Sequence, residues 1–394
     1  MKNLAIIGGG PAALMLAAQI DTAVYKVTIY EKNKAVGRKF LVAGDGGLNL
    51  SYNASVQDLG DQFYPREFMS SVLEKFAADE LMDWMNAIGV PTFVGSSSRV
   101  FPVLDMKPIE VLNKIVDYVI SNKVEFQYGM TWTGWSEDGN LCFDGSDDVV
   151  CDIAVFAMGG ASWKVTGSDG KWGSAFSERG VQILPFRAAN CAFGVEWKKN
   201  LIDAHRGKPL KNVAVEYGGY ISKGELVMTQ FGIEGNAMYP LSRRMQDALH
   251  EEGSIVILLD LKPTMSADQI LTKYKKSKHL KVTDILSRDI NLDRASIGLL
   301  KQFSDRETFL NPELLSELIK SVPIVVHSAD DIDKAISTLG GIDLSEVDGD
   351  FQLKKMPNNY AIGEMLDWYA PTGGYLLQGC FSMGYVLADY LNSQ

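Results

Sequence analysis

The feature that most constrains this chain is a glycine loop between a predicted strand and a predicted helix near its N-terminus. Residues 4–7 are a short apolar run typical of a strand buried on both faces. The loop Gly8-x-Gly10-x-x-Ala13 follows, and residues 11–20, rich in Ala and Leu, predict a helix. A second apolar run, residues 27–30, ends at Glu31. This order predicts a parallel β-α-β unit and therefore an α/β fold.

The spacing of this motif has a physical reason. Gly8 permits a tight turn, Gly10 lets the backbone approach a pyrophosphate, and a small residue at Ala13 lets helix and strand pack closely. The N-terminus of the helix then presents free N–H groups and partial positive charge to the phosphates. Glu31 can accept hydrogen bonds from ribose hydroxyls and would repel a 2′-phosphate. The motif therefore predicts FAD or NAD.

A second glycine-rich region favours FAD over NAD. Gly37-Arg38-Lys39 and Gly44-Asp45-Gly46-Gly47-Leu48-Asn49 follow soon after Glu31, and a plain NAD domain contains no such loop. The loop could wrap a longer cofactor, with Arg38 or Lys39 meeting phosphate charge. Ordinary surface charge is the alternative for these two residues.

The amino-acid composition limits the kinds of partner that the protein is expected to bind. Lys and Arg total 38 against 49 Asp and Glu, a formal charge of −11, which disfavours a nucleic-acid backbone or an anionic membrane as a partner. The four cysteines include no Cys-x-x-Cys pair, so we expect neither a metal site nor a dithiol centre. We expect a cytoplasmic protein without a transmembrane helix, because Gly8-Gly9-Gly10-Pro11 interrupts the one N-terminal stretch that imitates a signal peptide.

The pattern of elements predicts a discontinuous cofactor domain with insertions. After Pro185 the chain changes to antiparallel strand patterns and then to helical ones, and glycine-rich segments return in the last third. The expected segments are a cofactor domain of residues 1–188 and 325–394, a β-rich insertion of residues 189–262 on the substrate side, and a helical insertion of residues 263–324. Within the first segment, residues 66–88 predict one helix, and residues 124–135 together with residues 141–143 predict hairpin strands.

Two residues are candidates for substrate chemistry, and each has a structural alternative. Arg99 could hold a substrate carboxylate or carbonyl oxygen with two hydrogen bonds, or pair with a loop. Tyr375 could supply a proton, or simply pack. Tyr375 also opens an apolar stretch after Gly373-Gly374 that predicts a helix, whose N-terminus could face a flavin edge where negative charge develops on reduction.

These residues together resemble the BaiN/YhiN-like family of FAD-dependent oxidoreductases, which includes aminoacetone oxidases. The matching segments span nearly the whole chain and are IIGGGPAA at the start, GRKFLVAGDGGLNLS at 37–51, SRVFPV at 98–103, AMGGASWKVTGSDG at 157–170, and GEMLDWYAPTGGYLLQGCFSMG at 363–384. The resemblance implies a glutathione-reductase-like FAD-binding Rossmann domain with a β-barrel and a helical insertion domain.

The resemblance also implies the cofactor contacts. It places the adenosine near Glu31, Lys32 and the backbone of Trp132. It places the flavin ring beside Gly373, Gly374 and Tyr375, and the ribityl-phosphate region beside Gly363, Glu364 and Asp367. The remaining contacts that it implies are Gly8, Gly10, Pro11, Ala12, Arg38, Lys39, Gly46, Gly47, Leu48, Asn49, Ala157, Met158 and Gly159.

Two segments depart from the family pattern. The usual Gly-Gly-Gly-Arg-Cys-Asn is Gly44-Asp45-Gly46-Gly47-Leu48-Asn49 here, so chemistry that rests on the Arg and Cys does not carry over. The usual Phe-Thr-His-x-Gly is Met228-Thr229-Gln230-Phe231-Gly232, and Gln230 cannot act as a proton acceptor in place of His.

We therefore predict an FAD-dependent oxidoreductase that acts on a small organic molecule. No second nucleotide-binding loop is visible, so either NAD(P)H visits the flavin transiently or the substrate reduces the flavin and oxygen reoxidises it. The first alternative is a reductase of a conjugated C=C bond, which we favour, and the second is an amine oxidase of the aminoacetone type. A tRNA-modifying or non-catalytic flavoprotein is less favoured. The sequence does not define the oligomeric state.

Overall fold

The computed structural model describes residues 1–43, 47–103 and 106–394. The chain forms two compact units, one of residues 1–187 and 336–394 and the other of residues 188–335. Within the described ranges no helix is both long and apolar enough to cross a membrane.

A five-stranded parallel sheet forms the centre of the first unit. Its strands, in spatial order, are Asn359–Ala361, Ile153–Phe156, Lys2–Ile7, Tyr25–Glu31 and Glu125–Tyr128. Apolar residues of the central strand are almost completely buried because helices cover both faces. All five strands end at the same edge, and in such sheets ligands bind at that edge where the strand order reverses.

Helices surround this sheet, and the two ends of the chain meet among them. The helices of the first unit are Pro11–Gln19, Arg38–Ala43, Val56–Gly60, Arg66–Leu73, Ala78–Ala87, Pro108–Ser121, Gly173–Glu178 and Tyr375–Asn392. The first and last helices cross at Gly384, where a Cβ would overlap the Ala12 carbonyl oxygen, so a glycine is needed for the close approach. Tyr25 Oη also donates to the Leu391 carbonyl oxygen at 2.7 Å.

Three small sheets complete the first unit. They comprise Ser51–Tyr52, Arg99–Pro102 and Thr92–Val94; Trp132–Trp135 with Leu141–Phe143; and Ile183–Ala189 with Ser337–Ile342.

The second unit combines an antiparallel sheet with a group of helices around its own core. The seven strands, in spatial order, are Val322–Val326, Ile255–Asp260, Pro209–Tyr217, Tyr220–Met228, Gly232–Glu234, Phe193–Gly194 and Ser328–Ala329. The helices are Lys199–His205, Ser242–Glu252, Ala267–Lys276, Val282–Asp284, the π-helical turn Ile285–Asp289, Arg294–Gln302, Arg306–Leu310 and Pro312–Lys320. The β-rich and helical segments therefore belong to one compact unit.

Three expectations differ from the structure. Residues 66–88 form two helices, separated at residues 74–77, instead of one. Residues 124–135, expected as one strand of a hairpin with residues 141–143, form two strands. Trp132–Trp135 pairs with Leu141–Phe143 as expected, whereas Glu125–Tyr128 pairs in parallel with Tyr25–Glu31 at the sheet edge. The boundary expected at residue 325 falls inside strand Val322–Val326, whose partner is Ile255–Asp260, and the second unit continues to residue 335.

Candidate functional site

A cavity of about 630 Å³ lies where the parallel strands end, and we call it the glycine-loop cavity. It is lined by residues of the β-α-β unit and by residues that follow this unit in the sequence. The predicted cofactor residues among them are Gly8, Gly10, Pro11, Ala12, Glu31, Lys32, Arg38, Lys39, Trp132, Ala157, Met158, Gly159, Gly363 and Glu364. Segments separated by more than 300 positions thus meet in one cavity.

The two outer glycines of the loop face different surroundings. Gly8 has φ +99°, and a Cβ there would lie 2.5 Å from the Ala157 carbonyl oxygen. The first glycine is therefore required by the protein itself. A Cβ on Gly10 would meet only that same oxygen, at 3.9 Å, so the space in front of Gly10 is open. Gly10 also precedes the first residue of helix Pro11–Gln19, whose N-terminus opens on the cavity.

Glu31 is held firmly at the end of its strand. It is 8% exposed, and its Oε2 accepts a hydrogen bond from Gly9 N–H at 2.8 Å. Its Oε1 accepts from the backbone N–H and the Nδ2 of Asn33, at 2.8 and 2.7 Å. Since a carboxylate oxygen has two lone pairs, Oε2 keeps one free for a ribose hydroxyl, whereas Oε1 is filled.

The three basic side chains expected at the cofactor are bound to the protein. Lys32 pairs with Asp169 at 3.1 Å. Arg38 donates to Asn33 Oδ1 at 2.9 Å and to the Val165 carbonyl oxygen at 2.8 Å.

Lys39 forms the best-buried of these contacts. Its Nζ donates to Glu364 Oε2 at 2.8 Å and to Ser162 Oγ at 2.7 Å, and Glu364 Oε1 accepts from Thr338 N–H at 3.1 Å. A positive charge is thereby fixed at the cavity wall instead of extending freely towards a phosphate. No local sequence pattern indicates that Lys39 and Glu364 form a pair, because they are 325 positions apart.

Aromatic residues form another part of the cavity wall. Trp132 packs against Trp135, Phe156 and Phe176 with ring centroids 4.7 to 5.5 Å apart. Its Nε1 is buried and has no hydrogen-bond partner among the described residues. Trp172 Nε1, by contrast, donates to the Gly159 carbonyl oxygen at 2.9 Å, which fixes the loop after strand Ile153–Phe156.

Other predicted cofactor residues lie outside this lining. Gly46 lies outside the described residues. Gly47 has φ +124°, Leu48 is buried, and Asn49 Nδ2 donates to the Gly47 carbonyl oxygen at 3.1 Å. Asp367, expected at the ribityl-phosphate region, accepts a hydrogen bond from Gly340 N–H at 2.8 Å.

Cys380 lines the cavity and was missed as a site residue. It lies on the last helix, behind Gly363, where a Cβ would lie 3.9 Å from its Sγ. Burial, with a smaller contribution from Glu364, raises the pKa of the Cys380 thiol to about 12. The residue is therefore a neutral, apolar part of the wall.

Three residues at the start of the last helix form what we call the Arg99 group: Tyr52, Arg99 and Tyr375. Tyr52 and Arg99 are cross-strand partners in the antiparallel pair formed by Ser51–Tyr52 and Arg99–Pro102. The Tyr52 and Tyr375 rings stack with centroids 5.0 Å apart and an interplanar angle of 20°. A Cβ on Gly373 would lie 3.3 Å from Arg99 Nε, which brings the guanidinium to the same place.

The backbone before Tyr375 is fixed by close contact. Gly373 and Gly374 have φ values of +106° and +105°, and a Cβ on Gly374 would lie 2.5 Å from the Ser51 carbonyl oxygen. Ser51 Oγ also donates to Gln378, one turn into the helix. The two catalytic candidates, Arg99 and Tyr375, are therefore brought together, and Tyr52 is a third member that the sequence did not suggest.

Burial raises the pKa of Tyr375 well above that of an ordinary tyrosine. The adjacent Tyr52 raises it further, and the Arg99 guanidinium opposes both effects. Neither the Tyr375 hydroxyl nor the Arg99 guanidinium has a hydrogen-bond partner among the described residues. The group therefore presents a neutral phenol and a cation that remain available to a ligand.

The glycine-loop cavity has features that fit the adenosine diphosphate part of FAD. The space in front of Gly10 and the helix N-terminus behind it suit a pyrophosphate. The free lone pair on Glu31 Oε2 suits a ribose hydroxyl, and the unpaired Trp132 Nε1 lies in the wall where the adenine is expected. In the part of the chain that the structure describes, no cluster of three or more potential metal ligands occurs.

Comparison with known proteins gives full-length matches. The family described as HI0933-like protein Rossmann domain matches residues 2–390. The 3-dehydro-bile acid delta(4,6)-reductase of Clostridium scindens is 25% identical, with 98% of each chain covered. The ribosomal RNA dihydrouridine synthase of Escherichia coli is 23% identical, with 98% of this chain and 97% of the relative covered.

A solved structure supports the fold. The 3-ketosteroid delta1-dehydrogenase of Sterolibacterium denitrificans matches with a TM-score of 0.51 and 12% identity, and the match covers 100% of both chains. This likeness confirms the predicted fold class, an α/β Rossmann-type domain accompanied by an antiparallel part. From its match over residues 2–390, the chain belongs to the HI0933-like Rossmann family, the family of FAD-dependent oxidoreductases that its sequence motifs resemble.

Proposed function

We propose that this FAD-dependent oxidoreductase reduces a C=C bond conjugated with a carbonyl group in a small organic molecule, with NAD(P)H as the transient electron donor. The observation that carries the proposal is the Arg99 group, which joins a cation to a neutral phenol. A delta(4,6)-reduction and the formation of dihydrouridine both add two hydrogens to such a C=C bond, and relatives named for each reaction match this chain over nearly its full length.

The residues of the glycine-loop cavity would hold the cofactor. Glu31 would bind the adenosine ribose through Oε2, the helix N-terminus at Gly10 would face the pyrophosphate, and Trp132 would contact the adenine. The Lys39–Glu364 pair would fix the wall beside Gly363. Bound FAD would supply the two-electron redox chemistry.

The Arg99 group would act on the substrate. Arg99 would donate hydrogen bonds to the substrate carbonyl oxygen, which polarises the conjugated bond and stabilises negative charge that develops there. Tyr375 Oη would then donate its proton to the carbon next to the carbonyl group. Its raised pKa keeps the phenol protonated at neutral pH, as a proton donor requires.

Tyr52 would orient the proton donor. It lies opposite Arg99 in the strand pair and stacks on Tyr375, so it restricts the ring that carries the hydroxyl. It would be a positioning residue for Tyr375.

Anaerobic stopped-flow spectroscopy tests the proposal. The purified flavoprotein is reduced with NADPH or NADH, and cyclic enones, amines or oxygen are then supplied separately. We expect a nicotinamide to bleach the flavin absorbance and an enone to restore it. Bleaching by amines, with recovery only by oxygen, would show an oxidase and contradict the proposal.

A further inference from the structure

Positive charge is concentrated in one part of this acidic protein. Residues 262–301 contain nine Lys or Arg against four Asp or Glu, a formal charge of +5, so the other 354 residues carry −16. The segment lies entirely within the second unit. An uneven distribution of this kind attracts anions locally, although the whole chain is negative.

A second cavity, of about 560 Å³, lies in the same unit, and we call it the basic cavity. Four cationic side chains line it, together with His205, and Asp284 is the one carboxylate in its lining. The cations are Lys198, Arg288, Arg294 and Lys301. The polar lining residues Asn200, Thr283, Ser287 and Gln302 can add hydrogen bonds.

Three helical segments build this cavity. Helices Lys199–His205 and Arg294–Gln302 approach closely at Gly298, where a Cβ would lie 2.6 Å from Leu201 Cδ1. Lys198 N–H donates to Gln302 Oε1 at 3.1 Å and ties the start of one helix to the end of the other. The π-helical turn Ile285–Asp289 supplies Arg288.

Two nearby carboxylates bind serine residues instead of these cations. Asp293 accepts from Ser296 N–H at 2.8 Å and from Ser296 Oγ at 3.2 Å, which caps its helix. Asp289 accepts from Ser277 Oγ at 2.6 Å. Within residues 1–43, 47–103 and 106–394, Arg288 and Arg294 take part in no salt bridge.

His205 adds a neutral group to the cavity. Burial lowers its pKa, and Lys208 and Arg294 contribute in the same direction, while Asp293 opposes them. Its Nδ1 is buried without a hydrogen-bond partner among the described residues.

We propose that the basic cavity binds a phosphate-bearing ligand. Two unpaired guanidinium groups can each give two parallel hydrogen bonds to phosphate oxygens, and Lys198 and Lys301 add charge at the rim. The volume falls in the range of about 300 to 1,000 Å³ that small-molecule sites occupy. The phosphate can belong to a small phosphorylated compound or to an RNA backbone, and the two sources share this chemistry.

The test uses the FAD-loaded protein, in which the cofactor site is filled. Pyrophosphate binding is measured by isothermal titration calorimetry, and binding of a labelled short oligouridylate by fluorescence anisotropy. The variant Arg288→Gln/Arg294→Gln removes the two guanidinium groups. The matched control Lys211→Gln/Lys223→Gln removes two exposed charges from the strands of the same unit.

We expect pyrophosphate to bind, the arginine variant to weaken binding at least tenfold, which is about 1.4 kcal/mol, and the control to leave it within about twofold, since only the arginine variant loses charged hydrogen bonds to the phosphate. Tighter binding of the oligouridylate with the same arginine dependence would identify RNA as the phosphate source. Binding of neither probe, or equal weakening in both double variants, would overturn the proposal. Flavin content and enone reduction, measured in parallel, report on the proposed activity separately.

Discussion

The glycine-loop cavity and the Arg99 group lie in the same unit but differ in how their polar atoms are satisfied. In the cavity, Glu31 is held by Gly9 and Asn33, and Lys39 by Glu364 and Ser162. In the Arg99 group, the guanidinium and the Tyr375 hydroxyl have no hydrogen-bond partner among the described residues. A rigid, internally bonded site suits a cofactor that stays bound, whereas free donors suit a substrate that comes and goes. Variants of residues in the cavity and in the Arg99 group test this difference.

The largest effect is expected for Gly10→Val. The space in front of Gly10 is open, so valine fits the apo fold but fills the volume where the pyrophosphate is expected. We expect no FAD to be retained, measured as flavin absorbance after gel filtration, with the thermal unfolding of the apoprotein nearly unchanged.

A matched control is Gly349→Val, because a Cβ there meets nothing within 4 Å and the residue is remote from the cavity lining. Gly8→Ala gives the opposite pattern, a loss of stability of about 1–3 kcal/mol from the left-handed backbone and the Ala157 contact. FAD binding by Gly10→Val within a few-fold of the parent protein would remove the pyrophosphate from this loop.

Tyr375→Phe should leave the cofactor in place and affect turnover. Loss of a general acid lowers the rate by about 10²- to 10⁴-fold, and the phenyl ring can keep the stacking on Tyr52. The measurement is enone-dependent reoxidation of the reduced flavin, and Tyr385→Phe on the same helix is the control.

The pH dependence of enzymatic activity tests the role of Tyr375 independently. Because the pKa of Tyr375 is raised, the phenol stays protonated through the neutral and mildly alkaline range, and the alkaline loss of activity should lie above that of an ordinary tyrosine. An alkaline limb close to neutral pH that disappears in Tyr375→Phe would show that the phenol ionises there.

Glu31→Ala should weaken FAD binding by roughly ten- to a thousand-fold. The loss of a charged hydrogen bond to the ribose accounts for about 1.5–3 kcal/mol, and the donors of Gly9 and Asn33 lose their acceptor as well. Fluorescence titration of the apoprotein with FAD measures the change. Glu125→Ala on the adjacent strand, where the carboxylate is exposed, serves as the control, and equal affinities for all three proteins would place the ribose elsewhere.

The smallest effect is expected for Arg99→Lys. Lysine keeps the charge but loses the two parallel hydrogen bonds, so we expect kcat/KM for the enone to fall by roughly tenfold, about 1.4 kcal/mol, with FAD content unchanged. Arg66→Lys, at an exposed salt bridge with Asp61, is the control. A fall in FAD content instead would make Arg99 part of the cofactor site.

Local patterns predicted the glycine loop well, because the spacing of Gly8, Gly10 and Glu31 is itself the constraint that the site imposes. The start of helix Tyr375–Asn392 was predicted correctly for the same reason, since the preceding glycines and the following apolar residues are local signals. Local patterns could not predict which side chains from distant segments of the sequence contact each other. The Lys39–Glu364 contact depends on how distant segments meet in space.

Strand register limits such predictions in the same way. Tyr52 enters the Arg99 group only because Ser51–Tyr52 pairs with Arg99–Pro102 in one particular register. The break near residue 75 inside the expected helix 66–88 also lacks a glycine or proline as a signal. Asp367 could not be separated from Glu364 by motif alone, although one binds Gly340 and the other lines the cavity.

The first and last helices pack together at Gly384, so the first unit cannot be completed until the last helix has been synthesised. Ribosomes add about 5–20 residues per second, so Glu31 emerges roughly 20 to 70 s before Gly363, which lines the same cavity. Once residue 335 has been added, the second unit, residues 188–335, is complete in sequence, whereas the parallel sheet still lacks the strand Asn359–Ala361 and the covering helix. The nascent first unit must therefore wait for the end of the chain, and retention of the cofactor becomes a late event in biosynthesis.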